Sequence, residues 1–253
     1  MLEDLPRRPQ TARRRGNGKE IRRATALKPV KITEGVYQVG GPGMTAPEDC
    51  CVYLVDMGKP VLIDAGAGDS VDMIIRNLED LGYRPRDIST VVLTHCHIDH
   101  VGGAPVLAEK YGLPLAIHEM DAAAVEGGDP RKTAANWYGV DFPPTSVKTH
   151  LRGERGEIPG GASPLHWLHT PGHTPGSISL YVNNGLFTVL FGQDIHGPFY
   201  ASFGSDLDQW AESMRRLLEL DADILCEGHF GVIRTASEVR EYILGYLRNY
   251  GRL

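Results

Sequence analysis

The chain has 253 residues, of which 42% are hydrophobic and 23% charged, and this balance excludes fibrous and intrinsically disordered proteins. Its length suits one large globular domain or two small ones. The formal net charge is −6, but residues 1–28 hold nine basic and three acidic side chains, so this segment is +6 and the remainder is −12. An acidic body argues against a nucleic-acid enzyme that depends on a broad phosphate-binding surface.

The basic N-terminal segment differs in composition from everything that follows it. We interpret residues 1–29 as a basic, disordered tail, or as translation from upstream of the true start. An arm for oligomerisation or anion binding is the alternative. One folded domain is then predicted over residues 30–253, and the sequence leaves open whether it forms a homodimer.

Cysteine content and hydropathy indicate the cellular compartment in which the protein functions. The four cysteines are too few for a disulfide framework, and no CxxC pair suggests a structural zinc site. They are Cys50, Cys51, Cys96 and Cys226. A reducing compartment fits them, so we expect a cytoplasmic protein. No apolar stretch approaches the roughly 18 residues that a membrane span needs, and no membrane partner is expected.

The first half of the domain alternates strand-like runs with one clear amphipathic helix. Strands are predicted at Val36 to Val39, Cys51 to Val55, Val61 to Ile63, Thr90 to Leu93 and Pro114 to Ile117. Between the third and fourth of these, apolar residues recur at helical spacing from Val71 to Leu81, and Gly82 supplies the stop.

The second half of the domain also alternates predicted strands with helices. Strands are predicted at Leu165 to Leu168, Ser177 to Val182, Leu186 to Phe191 and Asp223 to Cys226, and Asn184-Gly185 indicates a hairpin. Two helices close the chain, one from Leu207 to Leu218 and one opened by a capping box of Thr235 and Glu238. Strands followed by strands, with helices interspersed, predict an α/β (α+β) fold with two sheets packed face to face under helices.

The segment from Glu119 to Ser163 is rich in glycine and proline, and we interpret it as an irregular surface cover. Its aromatic residues Trp137, Tyr138 and Phe142 are expected to form a local mini-core; lining a pocket is the alternative.

One short motif points to chemistry. Residues 94–100 read Thr-His-Cys-His-Ile-Asp-His and follow the strand that ends at Leu93, so three imidazoles and a carboxylate fall within six residues. Imidazole and carboxylate are ligands that zinc and neighbouring metals accept. The spacing lets one loop present two pairs of ligands to two adjacent ions, so this segment would supply half of a dinuclear site.

The other half of such a site needs ligands from other loops. His173 lies in Thr-Pro-Gly-His-Thr-Pro-Gly just after a predicted strand, and Asp194 and His229 follow the strands that end at Phe191 and Cys226. Since loops at one edge of a sheet sandwich can converge, these three residues are the candidates.

Together these motifs resemble the metallo-β-lactamase superfamily, in the order that family uses, over nearly all of the chain from about Val30. The match includes Asp64 in Leu-Ile-Asp-Ala-Gly. The resemblance implies a four-layer αββα sandwich and two divalent metal ions, with Zn²⁺ expected and Fe or Mn as alternatives. It implies that the first metal is bound by His95, His97 and His173, that the second is bound by Asp99, His100 and His229, and that Asp194 bridges them. It also implies that Asp64 holds the ligand loop from behind; an ordinary turn aspartate is the alternative.

The remaining polar residues are assigned more ordinary roles. We expect structural or exposed positions for His118, His150, His166 and His169, and a buried free thiol for Cys96. His196 and Tyr200 differ because they come just after Asp194, on the loop that should edge the site. One interpretation is that one of them contacts the substrate or donates a proton; packing of the loop is the alternative.

Two adjacent metal ions lower the pKa of a bound water toward about 7 and so make a bridging hydroxide that can attack a carbonyl. Asp99 is then the catalytic group that orients the hydroxide or passes on its proton, and Asp194 holds both ions. The sequence therefore predicts a hydrolase that cleaves an ester, a thioester of the hydroxyacylglutathione type, or a lactone in a small-molecule substrate.

The resemblance also ranks the alternatives. True β-lactamases of this fold lack the bridging carboxylate, and the acidic body argues against the nucleases. Gly197 stands where the best known lactonases carry a tyrosine, and no basic glutathione-binding cluster is evident. Persulfide dioxygenases share the Thr-His-Cys-His-x-Asp-His pattern but use one iron, and they are the rival from another class. A binding module without chemistry is disfavoured because no ligand is missing.

Overall fold

The computed structural model describes residues 27–253, so nearly all of the predicted basic tail lies outside the described residues. The described strands are β1 (Val30–Thr33), β2 (Val36–Gly40), β3 (Val52–Val55), β4 (Val61–Ile63), β5 (Thr90–Val92), β6 (Leu115–His118), β7 (Thr149–Leu151), β8 (Arg155–Ile158), β9 (Leu165–His169), β10 (Ile178–Asn183), β11 (Thr188–Phe191), β12 (Ile224–Glu227) and β13 (Gly231–Arg234). The described α-helices are α1 (Val71–Asp80), α2 (Ile98–Val101), α3 (Ala104–Glu109), α4 (Glu119–Gly127), α5 (Ala135–Tyr138), α6 (Leu207–Leu218) and α7 (Ala236–Asn249). Pro85–Asp87 and Ala201–Phe203 are short 3₁₀ helices.

The strands form two sheets. One has seven strands in the order β1 to β7, and the other has six in the order β13-β12-β11-β10-β9-β8. The first begins as an antiparallel meander and becomes parallel from β4 onward, where Ile63 pairs with Val92. In the second sheet β11 and β12 are also parallel, and Phe191 pairs with Cys226. Parallel strands end at the same edge, so the loops after β4 and β5 meet, and so do those after β11 and β12.

Three apolar layers lie between the sheets and on their outer faces. The inner layer joins the two sheets and includes Tyr53 and Phe191, whose ring centroids are 5.5 Å apart. Helix α1 buries Ile74 and Leu78 on the outside of the first sheet. Helices α6 and α7 cover the second sheet through residues such as Trp210. The predicted four-layer αββα sandwich is therefore confirmed.

Most predicted elements are present with boundaries that shift by a residue or a few. Helix α7 begins as expected, because the Thr235 hydroxyl accepts a hydrogen bond from the Glu238 backbone N–H. The two strands β10 and β11 form the predicted hairpin, in which Asn183 pairs with Thr188. None of the described helices has both the length and the apolar character that crossing a bilayer requires.

The segment from Glu119 to Ser163 departs from its prediction as an irregular cover. It contains α4, α5, β7 and β8, and the two strands complete one edge of each sheet. Edge strands can be short and polar, so β7 and β8 carry little of the alternation that marks a strand in sequence. Of the three aromatic residues there, Phe142 is buried in the core, whereas Trp137 and Tyr138 are exposed.

Candidate metal centre

The loop after β5 brings the first group of predicted ligands into the interior. His95 and His97 lie in an irregular stretch, and His100 falls within the short helix α2; all three are buried. Cys96 lies between the two histidines and is also buried, and its thiol is 3.4 Å from the Lys132 backbone oxygen. The side chains of His95 and His97 therefore lie on one face of the loop, and that of Cys96 lies on another.

Three side chains from other loops meet this segment. His173 follows β9, Asp194 follows β11 by three residues, and His229 follows β12 by two. Asp194 has a backbone φ of 41°, in the left-handed region that non-glycine residues seldom occupy. Such conformations persist only where the surrounding structure holds them, and here the strained residue lies at the centre of the site.

The first group of donor atoms comprises those of His95, His97, His173 and Asp194. The Nδ1 atom of His97 lies 3.1 Å from His95 Nε2 and 2.8 Å from His173 Nε2, and Asp194 Oδ2 lies 3.2 Å from His173 Nε2. Nitrogen ligands at zinc bond lengths in a tetrahedron are about 3.3 Å apart. The spacing of these atoms is therefore close to that of a metal coordination sphere.

The second group comprises Asp99, His100 and His229. His229 Nε2 is 3.3 Å from Asp99 Oδ2, and His100 Nε2 is 3.7 Å from the same oxygen. Asp194 joins this group through its other oxygen, since Oδ1 lies 3.2 Å from both His100 Nε2 and His229 Nε2. One carboxylate thus presents one oxygen to each group.

Three buried atoms of the ligand side chains have no hydrogen-bond partner, namely His97 Nε2, Asp194 Oδ1 and His100 Nε2, and the last two lie side by side. An unpaired buried polar atom is costly, and two such atoms side by side and aimed at one point are what a bound cation would satisfy. Imidazole and carboxylate together suit zinc, iron or manganese. The residues present therefore fit the metal ions that the sequence led us to expect.

Burial and neighbouring charges favour the metal-binding forms of three ligands, His95, His97 and Asp194. Burial lowers the pKa values of His95 and His97 well below the usual range, so both rings are neutral, as metal ligands must be. Burial opposes ionisation of Asp194, but His100 and His173 outweigh it and hold the pKa of Asp194 well below its usual range. Burial raises the pKa of Asp99. Asp194 therefore stays an anion between the two groups of ligands.

Asp64 lies behind the second group and is fully buried, with a φ of 63°. It accepts hydrogen bonds from Thr94 N (2.8 Å), Thr94 Oγ1 (2.9 Å), His100 Nδ1 (2.8 Å) and Gln193 Nε2 (2.7 Å). The bond from Nδ1 fixes the tautomer of His100 and leaves Nε2 to face the centre. Asp64 thus connects the loop that follows β5 to Gln193, the residue before Asp194.

Two further buried carboxylates organise the site and carry no signal in the sequence. Asp121 accepts hydrogen bonds from Cys96 N (3.0 Å), Thr174 Oγ1 (2.7 Å) and Gly176 N (2.8 Å), so it connects the loops that carry His97 and His173. These partners lie 25 to 55 residues away in sequence, which is why local patterns miss them.

The second of these carboxylates, Glu227, supports the His229 loop. It accepts hydrogen bonds from His229 N (2.6 Å), Phe230 N (3.0 Å) and His196 Nδ1 (2.9 Å). The His196 ring also packs against that of His229, with centroids 5.1 Å apart. His196 therefore lies beside the second group of ligands, held there by a buried carboxylate.

The other predicted contact residue, Tyr200, is half-buried and packs on Phe203 and Trp137 at 5.5 and 5.0 Å. The four histidines expected to be structural belong to none of the ligand groups found among residues 27–253. His118 and His169 stack on each other, His150 pairs with Glu126, and His166 stacks on Tyr181.

Gly172 is required for His173 to reach the site. Its φ is 137°, and a Cβ atom there would lie 2.3–2.4 Å from Trp210. We expect Gly172→Ala to lower the free energy of unfolding by roughly 3 kcal/mol or more and to reduce metal binding, because α6 and the His173 loop must separate. Gly185→Ala is the matched control: φ is 84° there, but nothing lies within 4 Å, so only about 1 kcal/mol is expected. Urea unfolding of both variants measures the difference, and equal losses would contradict this account.

Comparison with known proteins agrees with this fold. The family model described as the metallo-beta-lactamase superfamily matches residues 46–229, and the chain belongs to that superfamily. The probable metallo-hydrolase YflN of Bacillus subtilis is 29% identical over 209 residues, covering 71% of this chain and 78% of the relative. The beta-lactamase-like protein 2 homolog of Drosophila melanogaster is 30% identical over 220 residues, covering 85% and 71%. The crystal structure of the metallo-beta-lactamase GOB-18 from Elizabethkingia meningoseptica superposes with a TM-score of 0.71 at 22% identity, covering 96% and 95%, and shows the same fold.

Proposed function

We propose that the protein is a hydrolase that uses two divalent metal ions to cleave an ester, a thioester or a lactone. One observation carries the proposal: the two oxygens of Asp194 face different groups of ligands, each 3.2 Å from a ligand nitrogen. A carboxylate shared in this way suits two adjacent cations better than one.

In this proposal the first ion is held by His95, His97 and His173, the second by Asp99, His100 and His229, and both by Asp194. When bound, such ions acidify a water molecule and polarise a carbonyl group. Hydrogen bonds within the chain orient the ligand side chains for metal binding. The Nδ1 atom of His173 donates to the Pro198 backbone oxygen at 2.9 Å, which leaves Nε2 free to bind.

Asp99 is the group that we assign to proton transfer. Its carboxylate is 10% exposed, and Oδ2 lies on the same side as His229, the most exposed of the proposed ligands. A carboxylate in that position can orient the attacking water and accept its proton. A general base must lie within hydrogen-bond reach of the proton that it takes. Asp194 is more enclosed and serves to hold the ions.

The proposal is tested by removing the metal and restoring it. We expect chelation to abolish hydrolysis and two equivalents of Zn²⁺ or Mn²⁺ per chain to restore it, since both groups of ligands must be filled. The substrates are neutral esters and thioesters, a lactone, a glutathione thioester, a β-lactam and a phosphodiester. Metal content by mass spectrometry and rates are measured on the same samples. Full activity with one iron per chain, with oxygen consumed and sulfite formed from a persulfide, would instead establish the dioxygenase alternative.

A further inference from the structure

A cluster of aromatic side chains lies directly against the proposed first metal position. Trp137 on α5 packs on Tyr200 and Phe203 with ring centroids 5.0 and 4.9 Å away. Phe203 in turn lies 4.3 Å from the ring of His97. We call Trp137, Tyr200 and Phe203 the aromatic patch; it is continuous with the ligand set through this last contact.

Trp137 is exposed in a way that core packing does not explain. Its relative exposure is 48%, whereas Trp167 and Trp210 are at most 4% exposed. Helix α5 is a single turn between Ala134 and Gly139, both in left-handed conformations, and it is anchored by the buried Ala135. The backbone thus holds a large apolar ring at the surface beside the site. Trp137 is the exposed end of the patch, Tyr200 is half-buried and Phe203 is buried, and exposed apolar area next to a site of this kind is typical of ligand-binding surfaces.

Acidic residues on the neighbouring side of α5 restrict the charge of a ligand that can bind there. Tyr138 lines a cavity of about 460 Å³ that also contacts Ile98, which lies between two proposed ligands. The lining residues include Glu48, Asp69 and Asp141 and no lysine, arginine or histidine. None of the proposed metal ligands lines this cavity, but Tyr138 places its carboxylates beside the aromatic patch. Because carboxylates repel anions, this side of α5 disfavours a substrate that carries several negative charges.

We propose that the aromatic patch is a subsite for the apolar acyl or aryl part of an uncharged substrate. This inference rests on the proposed hydrolytic function and narrows its substrate class. Phe203 places the apolar group next to His97, and Trp137 and Tyr200 cover it from solvent. A glutathione thioester carries carboxylates, which the acidic residues on the neighbouring side of α5 would repel, so the neutral substrate is favoured.

The test compares acyl chain lengths in the metal-loaded enzyme. With 4-nitrophenyl esters we expect kcat/KM for the octanoyl ester to exceed that for the acetyl ester by about tenfold or more, since each fully buried methylene is worth about fourfold. Trp137→Ala should remove most of this preference by lowering kcat/KM for the octanoyl ester. Phe187→Ala is the matched control, because Phe187 is an aromatic residue 41% exposed in the β10–β11 turn. Equal rates across chain lengths, or an equal loss in both variants, would overturn the subsite.

Charge is tested with one acyl group on two thiols. Octanoyl N-acetylcysteamine should be cleaved at least about tenfold more efficiently than octanoyl glutathione. A glutathione thioester cleaved as fast as the neutral one would overturn the assignment to uncharged substrates.

A binding measurement separates this inference from the proposed function. Trp137 is the exposed tryptophan, so its fluorescence should shift to shorter wavelength on titration with octanamide but not with acetamide. Trp137→Ala should abolish the shift. If octanamide binds and no ester or thioester is hydrolysed, the subsite stands and the hydrolytic function fails. If esters are hydrolysed and octanamide gives no shift, the subsite fails alone.

Discussion

Replacing Asp194 by alanine is expected to leave at most one metal ion per chain and to lower kcat/KM by about a thousandfold or more. The reason is that one carboxylate serves both groups of ligands, with Oδ2 facing His173 and Oδ1 facing His100 and His229. Without it, the first group consists only of buried imidazoles with no anion to offset a cation, and the second group keeps Asp99 alone. Metal content by mass spectrometry and steady-state kinetics on the purified variant measure both effects.

Two further variants make this result specific. Asp194→Asn preserves the shape but leaves one oxygen and no charge, so we expect it to keep more metal than Asp194→Ala while still losing most activity. Asp80→Ala removes an exposed aspartate on α1 and should change neither quantity. Circular dichroism establishes that each variant is folded. An Asp194→Ala protein that binds two ions and turns over at the normal rate would refute the shared-carboxylate arrangement.

The predictable part of the site follows from where strands end. His95 to His100 form a local motif. Its metal-binding chemistry can be recognised from the sequence because histidine and aspartate at this fixed spacing are typical of metal ligands. Asp194 and His229 could be anticipated because each closely follows an apolar strand. What the sequence does not show is that β11 and β12 are parallel neighbours, with Phe191 paired to Cys226, which is what brings the two loops together.

The residues that sequence reasoning missed share a different property. Asp49, Asp121 and Glu227 are buried carboxylates whose partners come mainly from backbone N–H groups and from distant segments. A lone aspartate in a helix or loop has no periodicity and no motif, so its burial is decided only by the tertiary fold. Helix α5 was missed for a related reason, since a four-residue turn is too short to show a helical period.

Because Asp121 connects the two ligand loops, its replacement should affect the metal site and not only the fold. Asp121→Asn keeps the volume, but its amide group must face one of three donors, Cys96 N, Thr174 Oγ1 or Gly176 N. A buried donor left unpaired costs about 1–3 kcal/mol, which corresponds to a fall in Tm of about 3–10 °C. We expect metal affinity to fall about 10- to 100-fold as well, since His97 and His173 lose their common support.

The matched control for Asp121 is another buried aspartate with a similar set of bonds. Asp49 accepts from Ala46 N, Ala67 N, Ser70 Oγ and Thr45 Oγ1, none of which lies on a ligand loop. Asp49→Asn should therefore lower Tm by a similar amount while leaving metal affinity, measured by competition with a chromophoric chelator, within about twofold of the parent. Thermal unfolding of metal-free protein gives the stability loss separately from the binding loss. If the two variants lose metal affinity equally, Asp121 stabilises the fold in general and does not position the ligands.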